Sequence, residues 1–589
     1  MNERLESALN DIKSLKKAEN IFIEKLLIDV YRLLDSTKSA DYNSCLSIIC
    51  HIANTNNNDI MIKQLLHDCI IKSRIFLYDN LLFKNNPEYK PLMSAQDVLL
   101  QSFYTSNSTN TTLTKPQKEI FDAFQNYRRV IISAPTSFGK TRIVREIISH
   151  NEYQNIALIM PTVSLLSEMY QDLREGMEGY TLSKSSKVKV DPHKRYILIL
   201  TPERMSAFLE ENPGFHVDFF VMDEIYKIDY KLEDDRFRVF SDILYHLAKT
   251  TSNFYLIGPY IRDFSSKFRK KFGAKFISYD LEVVQKDHYY LDNTKNKGQH
   301  TIEESTVRII GDKFKNLHRL VSEESIDGKF LIYRYQKQYV EDTAVRFSKI
   351  WDVKPHNEEL TKYLSQSISK GWDLISCIER GVAFHHGAMP RHVQDLIVDE
   401  FNDTSNQGVN YLFCTTSLTE GINSAAKNVV LYDKKIGNGG NLKTLDRKNI
   451  EGRAGRFMQH FIGRVFNLEV QGDDDSETIV EVEFLDKETP SIESLIQLDF
   501  EDIPPGAKKI YDEYANNLDS LDVEEEVINE NKFVKVSGQL ALIEYLRNSN
   551  HLDKYYFNGQ LPDKDCLDNI LSTIYNFLFT DHNNSPIGQ

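Results

Sequence analysis

The run Ala134-Pro135-Thr136-Ser137-Phe138-Gly139-Lys140-Thr141 stands directly between the apolar stretch RRVIIS and the helical pattern TRIVREIIS. A small-residue loop ending in Gly-Lys-Thr, entered from a strand and left through a helix, is the setting of a phosphate-binding loop. Small side chains let backbone N–H groups approach phosphate oxygens, and the start of the helix adds a favourable dipole. Lys140 is then placed to neutralise the β- and γ-phosphates of ATP, and Thr141 to offer its hydroxyl to Mg²⁺. Ala134 occupies the place of the usual first glycine. Such a loop commits its surroundings to a strand–helix alternation.

That alternation is visible from Leu113 onward. The apolar runs RRVIISA, NIALIMPT, YILILTPE, VDFFVMDE and FYLIGPY are separated by helical patterns, and a second set, KFLIYRY, GVAFHHG, VNYLFCTT, NVVLYD and GRVFNLEV, begins near Lys329. Buried parallel strands read as continuous apolar runs of this length, with crossover helices between them. The predicted fold class is α/β, with two tandem lobes of the RecA-like phosphate-loop type. The predicted division is a helical accessory domain over 1–105 and a nucleotide-binding lobe over 106–275. A linker or insertion over 276–324, a second lobe over 325–470 and an acidic, mixed and helical accessory region over 471–589 complete it. The polar stretch Thr105–Thr112 reads as a linker. No repeat of 20–50 residues is evident.

The strand VDFFVM ends in Asp223 and Glu224. A carboxylate at the carboxyl end of such a strand can hold Mg²⁺, and its neighbour can polarise an attacking water. The alternative is a solvated acidic strand end, which the preceding phosphate loop makes the weaker reading.

Composition bounds the remaining classes. The 589 residues exceed one core, so several domains are expected. Six scattered cysteines, with no CxxC pair, fit reduced buried thiols better than a metal or disulfide framework. The charged start carries no secretory signal, and no eighteen apolar residues run together, so a cytoplasmic protein without a membrane partner is expected. The net charge of −15 argues against nucleic acid only weakly, because a cleft binds strands through local groups that whole-chain charge averages away.

Taken in order, the motifs over about 103–470 resemble superfamily 2 helicases of the superkiller-like branch. Gln117 sits where such proteins read the adenine edge, with Phe103 or Tyr104 as stacking partners. Pro161-Thr162 and Thr201-Pro202-Glu203-Arg204 are similar to the strand-contacting motifs of a first lobe. GVAFHHGAMPRHVQDL, FCTTSLTEGINSAAK and NIEGRAGR are similar to successive motifs of a second lobe. The resemblance implies that Arg453 and Arg456 reach the transferring phosphoryl group from that lobe. It further implies nucleotide or strand contacts from Gly421, Asn423, Thr415 and Thr416, and strand contacts from Thr162, Thr201, Arg204 and Arg334. His385 and His386 read as packed strand-end residues. Backbone contacts of this kind carry little sequence information.

Three positions depart from the family's pattern. Tyr226 replaces the histidine of the acidic box, Gly258-Pro259-Tyr260 replaces Ser-Ala-Thr, and Asn449 replaces glutamine at the start of the arginine motif. The first two are expected to be halves of one coupling contact that changed together. The resemblance therefore implies an ATP-dependent helicase or translocase on single-stranded or tailed nucleic acid with 3′–5′ polarity. DNA is favoured over RNA as the track, although backbone-contacting residues do not distinguish the two. The alternative is an ATP-gated nucleic-acid sensor or clamp that hydrolyses ATP with little unwinding and regulates a nuclease. The helical N-terminus and the altered coupling motif also resemble bacterial antiphage helicases of Hachiman type, which implies an effector partner on the accessory helices. Residues 471–589 are few for the winged helix and helical ratchet usual on this branch, so a divergent short form or a truncated chain is expected.

Overall fold

The apolar runs become the strands of two parallel sheets. In the first lobe these are β1 (Arg129–Ser133), β2 (Asn155–Ile159), β3 (Tyr180–Ser183), β4 (Arg195–Leu200), β5 (Phe219–Met222) and β6 (Phe254–Gly258). A two-residue strand β7 (Asp263–Phe264) lies outside their sheet, and β8 (Lys275–Ser278) completes it. The sheet order is β3-β4-β2-β5-β6-β1-β8, with parallel neighbours throughout. The computed structural model describes residues 20–35, 39–55, 58–135, 138–232, 236–303, 305–350, 358–403, 408–419, 426–437, 439–469, 479–532, 534–559 and 561–578.

The second lobe has β9 (Gln285–Tyr290), a hairpin of β10 (Gly298–Ile302) and β11 (Ser305–Ile309), then β12 (Phe330–Tyr333), β13 (Val382–His385), β14 (Tyr411–Cys414) and β15 (Asn428–Leu431). A small hairpin of β16 (Lys435–Ile436) and β17 (Gly440–Asn441) precedes β18 (Ile462–Asn467). Its main sheet is also parallel, in the order β13-β14-β12-β15-β18-β9. Two α/β lobes, each with a parallel sheet, are therefore the architecture.

The stretch 276–324 is not a linker. β8 belongs to the first sheet, β9 pairs along its whole length with β18 of the second, and only 279–284 run between. Leu291, Ile302, Val307, Ile309, Phe314 and Leu317 all enter the second lobe's core. Arg464 pins the segment from within. Its almost wholly buried guanidinium donates to both Glu303 oxygens at 2.7 and 2.8 Å and to Asp327 Oδ1 at 2.9 Å. The Ser/Thr stretch Thr105–Thr112 is also folded. Thr105 and Thr112 bridge each other, and the hydroxyls of Ser106 and Thr109 donate to the buried carboxylate of Glu146 on the helix Lys140–His150.

The accessory regions cross over. The N-terminal helices Asn20–Leu33, Ser39–Asn54 and Ile60–Ser73 bury their apolar faces together and share that core with Leu281, Val283, Phe461 and Ile462 of the second lobe and its connector. The C-terminal region returns to the first lobe. β19 (Ile479–Val480) pairs with β7, and Val480, Val482, Phe484, Leu495 and Leu498 join the core beneath the helix Phe237–Thr250. Its acidic character has a structural use there. Asp499 pairs with Lys249, Asp502 accepts from Lys271 at 2.5 Å and from Tyr245 at 2.6 Å, and Glu481 pairs with Lys231 at 2.9 Å. No described helix is long and apolar enough to cross a membrane. All six cysteines are free and buried, and no cluster of His, Cys, Asp and Glu that could hold a metal occurs among the described residues.

Candidate active site

β1 delivers the phosphate loop and β5 delivers the acidic pair. Ser133 and Gly258 are register partners, and the Ala134 N–H donates to the Gly258 carbonyl at 3.1 Å, which fixes where the loop departs. Gly139 has φ +77°, and a Cβ there would come within 2.6 Å of Gln117 Nε2, so the loop passes through a conformation and a space that favour glycine. Lys140 opens the helix Lys140–His150, and its ammonium stands 3.6 Å from Asp223 Oδ1. Thr136 and Ser137 lie outside the described residues.

One cavity of about 300 Å³ joins the lobes at this place. Gly139, Lys140, Thr141, Asp223 and Glu224 line it from the first lobe, and Gly452, Arg453, Gly455 and Arg456 line it from the second. The arginine loop follows the helix Thr444–Glu451 and turns at Gly455, φ +78°, where a Cβ would lie 2.5 Å from Val284 Cγ1 and 3.1 Å from the Gly463 backbone. That close approach lays the loop against β18 and the inter-lobe connector. Glu224 Oε2 is buried with no hydrogen-bond partner. Burial pushes its carboxyl above the ordinary glutamate range; Asp223 reinforces the shift, while Lys140 and Arg453 oppose it.

The donor set fits Mg²⁺ and a triphosphate. Thr141 and Asp223 offer hard oxygen ligands, Lys140 beside them supplies the compensating charge, and Glu224 lines the same cavity with one carboxylate oxygen unpartnered. Arg142, Glu168, Asp172, Phe457 and Met458 also line the cavity, and the sequence motifs did not mark them. Asp172 feels the positive charge of Arg456 across the seam. It stands within an amphipathic helix, Val163–Arg174, whose pattern gives no hint of the opposite lobe.

The other expected site residues fall into distinct groups. Gln117 is wholly buried with both ends of its amide engaged: Oε1 accepts from the Thr114 N–H at 3.0 Å and Nε2 donates to the Phe138 carbonyl at 3.0 Å. In this arrangement it braces the phosphate loop and presents no edge to a base. Phe103 is exposed beside Lys118, whereas Tyr104 packs on Phe76. Thr162 and Thr201 cap the helices Val163–Arg174 and Pro202–Glu211 at the ends of adjacent strands β2 and β4. Two neighbouring helix starts therefore face one rim, a setting that favours phosphate. Arg204 is exposed beside them and donates to the Lys184 carbonyl at 3.2 Å.

On the second lobe the Thr415 N–H donates to the His385 carbonyl at 3.3 Å, and Thr415 and Ser417 hydroxyls are 2.9 Å apart. Thr416 begins the short helix that follows. Farther along, Arg391 donates to Ser164 of the first lobe at 2.6 Å, so this rim is continuous with that of Thr162. Gly421 and Asn423 lie outside the described residues. Arg334 is held otherwise than expected of a strand contact. Its Nε donates to Asp433 at 2.7 Å, another nitrogen donates to Thr343, and its plane lies over Tyr432. The group is spent on holding the second lobe together. His385 and His386 are buried at the end of β13; His386 meets Glu341 at 2.6 Å, and burial lowers His385 to about 4, which keeps it neutral.

The altered coupling residues pair differently from the expectation. Tyr226 does not depend on Gly258-Pro259-Tyr260 for its cross-seam contact, because Asn449 Nδ2 of the opposite lobe donates to its hydroxyl at 3.4 Å. A longer side chain on one lobe thus meets a shorter amide on the other. Tyr260, with φ +53°, makes a cross-lobe contact of its own, lying under the Lys448 ammonium in a neighbouring cavity of about 600 Å³. Removing the hydroxyl with Tyr226→Phe is expected to lower strand-stimulated ATP turnover by about 2- to 10-fold, the worth of one ordinary hydrogen bond. Turnover without strand should hardly change, and the ratio of stimulated to basal rates checks it.

Comparisons with known proteins agree with this geometry. A DEAD/DEAH box helicase family model matches residues 114–256, and a helicase conserved C-terminal domain model matches residues 312–458. The chain is 27% identical over 69% of its length to Anti-bacteriophage protein B of Escherichia coli (strain K12), covering 53% of that protein. It is 24% identical over 59% of its length to the ATP-dependent DNA helicase Hel308 of Thermoplasma acidophilum, covering 52% of it. To the ATP-dependent DNA helicase MER3 of Saccharomyces cerevisiae it is 25% identical over 59% of its length, covering 30% of that protein. The chain thus spans about half the length of the first two of these relatives. With a DEAD/DEAH box helicase domain and a helicase conserved C-terminal domain in tandem, the chain belongs to the superfamily 2 DExD/H-box helicases, a family of ATP hydrolases.

Proposed function

We propose that the chain hydrolyses ATP between its lobes and uses the cycle to move along a single strand in the 3′–5′ direction. The cavity shared by Lys140, Glu224, Arg453 and Arg456 carries this reading. Lys140 would hold the β- and γ-phosphates, and Thr141 with Asp223 would hold Mg²⁺, whose charge assists departure of the leaving phosphate. Glu224 would take a proton from the attacking water, and the two guanidinium groups would stabilise charge on the equatorial phosphoryl oxygens. Closure of the lobes on ATP would bring the Thr162, Thr201 and Arg204 rim and the Thr415–Thr416 rim onto one strand backbone.

DNA is the favoured track, in keeping with the printed names of the Hel308 and MER3 relatives. The name of the Escherichia coli relative supports a role in defence against phage; a nuclease or other effector as partner follows only from the resemblance to antiphage helicases. The second reading, an ATP-gated clamp, draws on the altered Gly258-Pro259-Tyr260 segment. The Asn449–Tyr226 hydrogen bond favours the motor, because a direct link between the lobes persists.

ATP turnover with single-stranded DNA, single-stranded RNA and tailed duplexes, measured beside strand release and a Lys140→Ala control, tests the proposal. Expected are DNA-stimulated turnover and release from 3′-tailed duplexes, with affinity falling as salt rises because counterions are released on binding. Stimulated turnover without strand release selects the clamp. Turnover that survives Lys140→Ala would overturn both readings.

A further inference from the structure

Tyr78, from the N-terminal helical domain, lies where the inter-lobe connector and the arginine loop come together. It sits in the short helix Leu77–Leu82 and is wholly buried. Its hydroxyl donates to the Val283 carbonyl at 2.8 Å, in the stretch that leaves β8 in one lobe and enters β9 in the other. Its ring meets Phe457 edge-on, with centroids 5.4 Å apart, and Phe461 at 5.0 Å.

Phe457 is the residue after Arg456 and lines the same cavity. The loop is tied again one turn later, where the Arg456 N–H donates to His460 Nδ1 at 3.1 Å. An acceptor at that nitrogen requires a neutral imidazole, and burial lowers His460 to about 4. Val284, next to the carbonyl that Tyr78 holds, is the side chain against which Gly455 turns. A second anchor fixes the helical domain to β9, which the connector enters: His51 Nε2 meets Asp287 Oδ1 at 3.1 Å in a buried pair.

We infer that Tyr78 is a positioning residue for ATP turnover, setting the arginine loop through Phe457 and the connector through Val283, so that the N-terminal helices are a working part of the ATPase. The physical basis is that three otherwise separate pieces meet at one tyrosine, through its ring and its hydroxyl. A guanidinium stabilises developing charge only from a narrow range of positions, and a displacement of about 1 Å far from the chemistry can cost about 10²-fold in rate. The ring holds the piece of chain that carries Arg456. The hydroxyl keeps the connector in register with it, so lobe closure and arginine placement move together. A partner that pulled on the helices would change turnover through this contact without touching the nucleotide.

The inference rests on the reading that Arg456 acts in ATP hydrolysis, and the test separates the two. In the full chain, kcat and KM for ATP are measured for Tyr78→Ala, Tyr78→Phe and Phe457→Leu, beside Arg456→Ala and the unaltered protein. Tyr78→Ala is expected to lower kcat by about 10- to 100-fold with KM for ATP within about threefold, because the phosphate loop is untouched. Tyr78→Phe keeps the ring and loses one hydrogen bond, so a fall of about 2- to 10-fold is expected. Phe457→Leu should resemble Tyr78→Ala, and with Tyr78→Phe it carries the comparison if Tyr78→Ala does not fold. A structural role alone would lower the folded fraction and leave kcat per folded molecule unchanged; that result overturns the inference. If Arg456→Ala turns over ATP normally, the underlying reading of the site fails instead.

Discussion

Arg453→Ala is expected to lower ATP turnover by about 10³- to 10⁵-fold, the range for an arginine that stabilises a transferring phosphoryl group. That corresponds to about 4–7 kcal/mol of transition-state stabilisation. The size follows from where the residue stands. Arg453 and Arg456 reach the cavity from the second lobe, while Lys140 and Asp223 hold their side of it without them. Binding of ATP should therefore survive, and the loss should fall on kcat. Arg453→Lys keeps the charge but lacks the planar fork, so it should recover only part of the rate. Steady-state turnover beside equilibrium binding of a fluorescent ATP analogue checks both parts. A variant that lost affinity and kept kcat would place the arginine in ground-state binding.

Glu224→Gln is the second large effect. General-base catalysis contributes about 10²- to 10⁴-fold, and glutamine keeps the shape while removing the base. Glu224 lines the shared cavity and its Oε2 is buried with no hydrogen-bond partner, so little of the fold depends on its charge. The variant should bind ATP and strand, hydrolyse at most about one hundredth as fast, and accumulate in the closed state. Strand retention in the presence of ATP, followed by filter binding or fluorescence anisotropy, reads that accumulation. Turnover equal to that of the unaltered chain would assign the base to another group.

The strands and the phosphate loop were legible because their physics is local. β1, β2, β4, β5, β6, β12, β13, β14, β15 and β18 are buried almost end to end, so each reads as a continuous apolar run. β8 and β9 close the edges of the two sheets and are partly exposed, as their sequences KFIS and QKDHYY show, and without an apolar run they passed as a linker. The same limit explains Arg334 and Gln117. Residue type and spacing do not disclose that Asp433 claims the first or that the Phe138 carbonyl claims the second. The polar loop after Tyr104 read as a spacer because its partner, Glu146, comes from a helix 40 residues away.

What a single sequence hides most completely is which surfaces meet across the fold. The N-terminal helices were legible as amphipathic, yet nothing in their periodicity names the second lobe as their partner. The C-terminal acids read only as part of an acidic accessory region, and nothing in the sequence discloses that Asp499 and Asp502 meet Lys249 and Lys271 of the first lobe. Tyr226 and Asn449 each registered as a departure, and only the fold joins them. The net charge of −15 therefore includes carboxylates committed to internal pairs, and it does not describe the rim lined by Thr162, Thr201 and Arg204.

The most direct measurement is an experimental structure of the full chain with Mg²⁺, ADP and beryllium fluoride, bound to a single-stranded oligonucleotide. The fluoride group is expected within hydrogen-bond distance, about 2.7–3.2 Å, of Lys140 and of at least one guanidinium from Arg453 or Arg456. A closed complex in which the nucleotide contacts the first lobe alone, with both arginines turned to solvent, would contradict it.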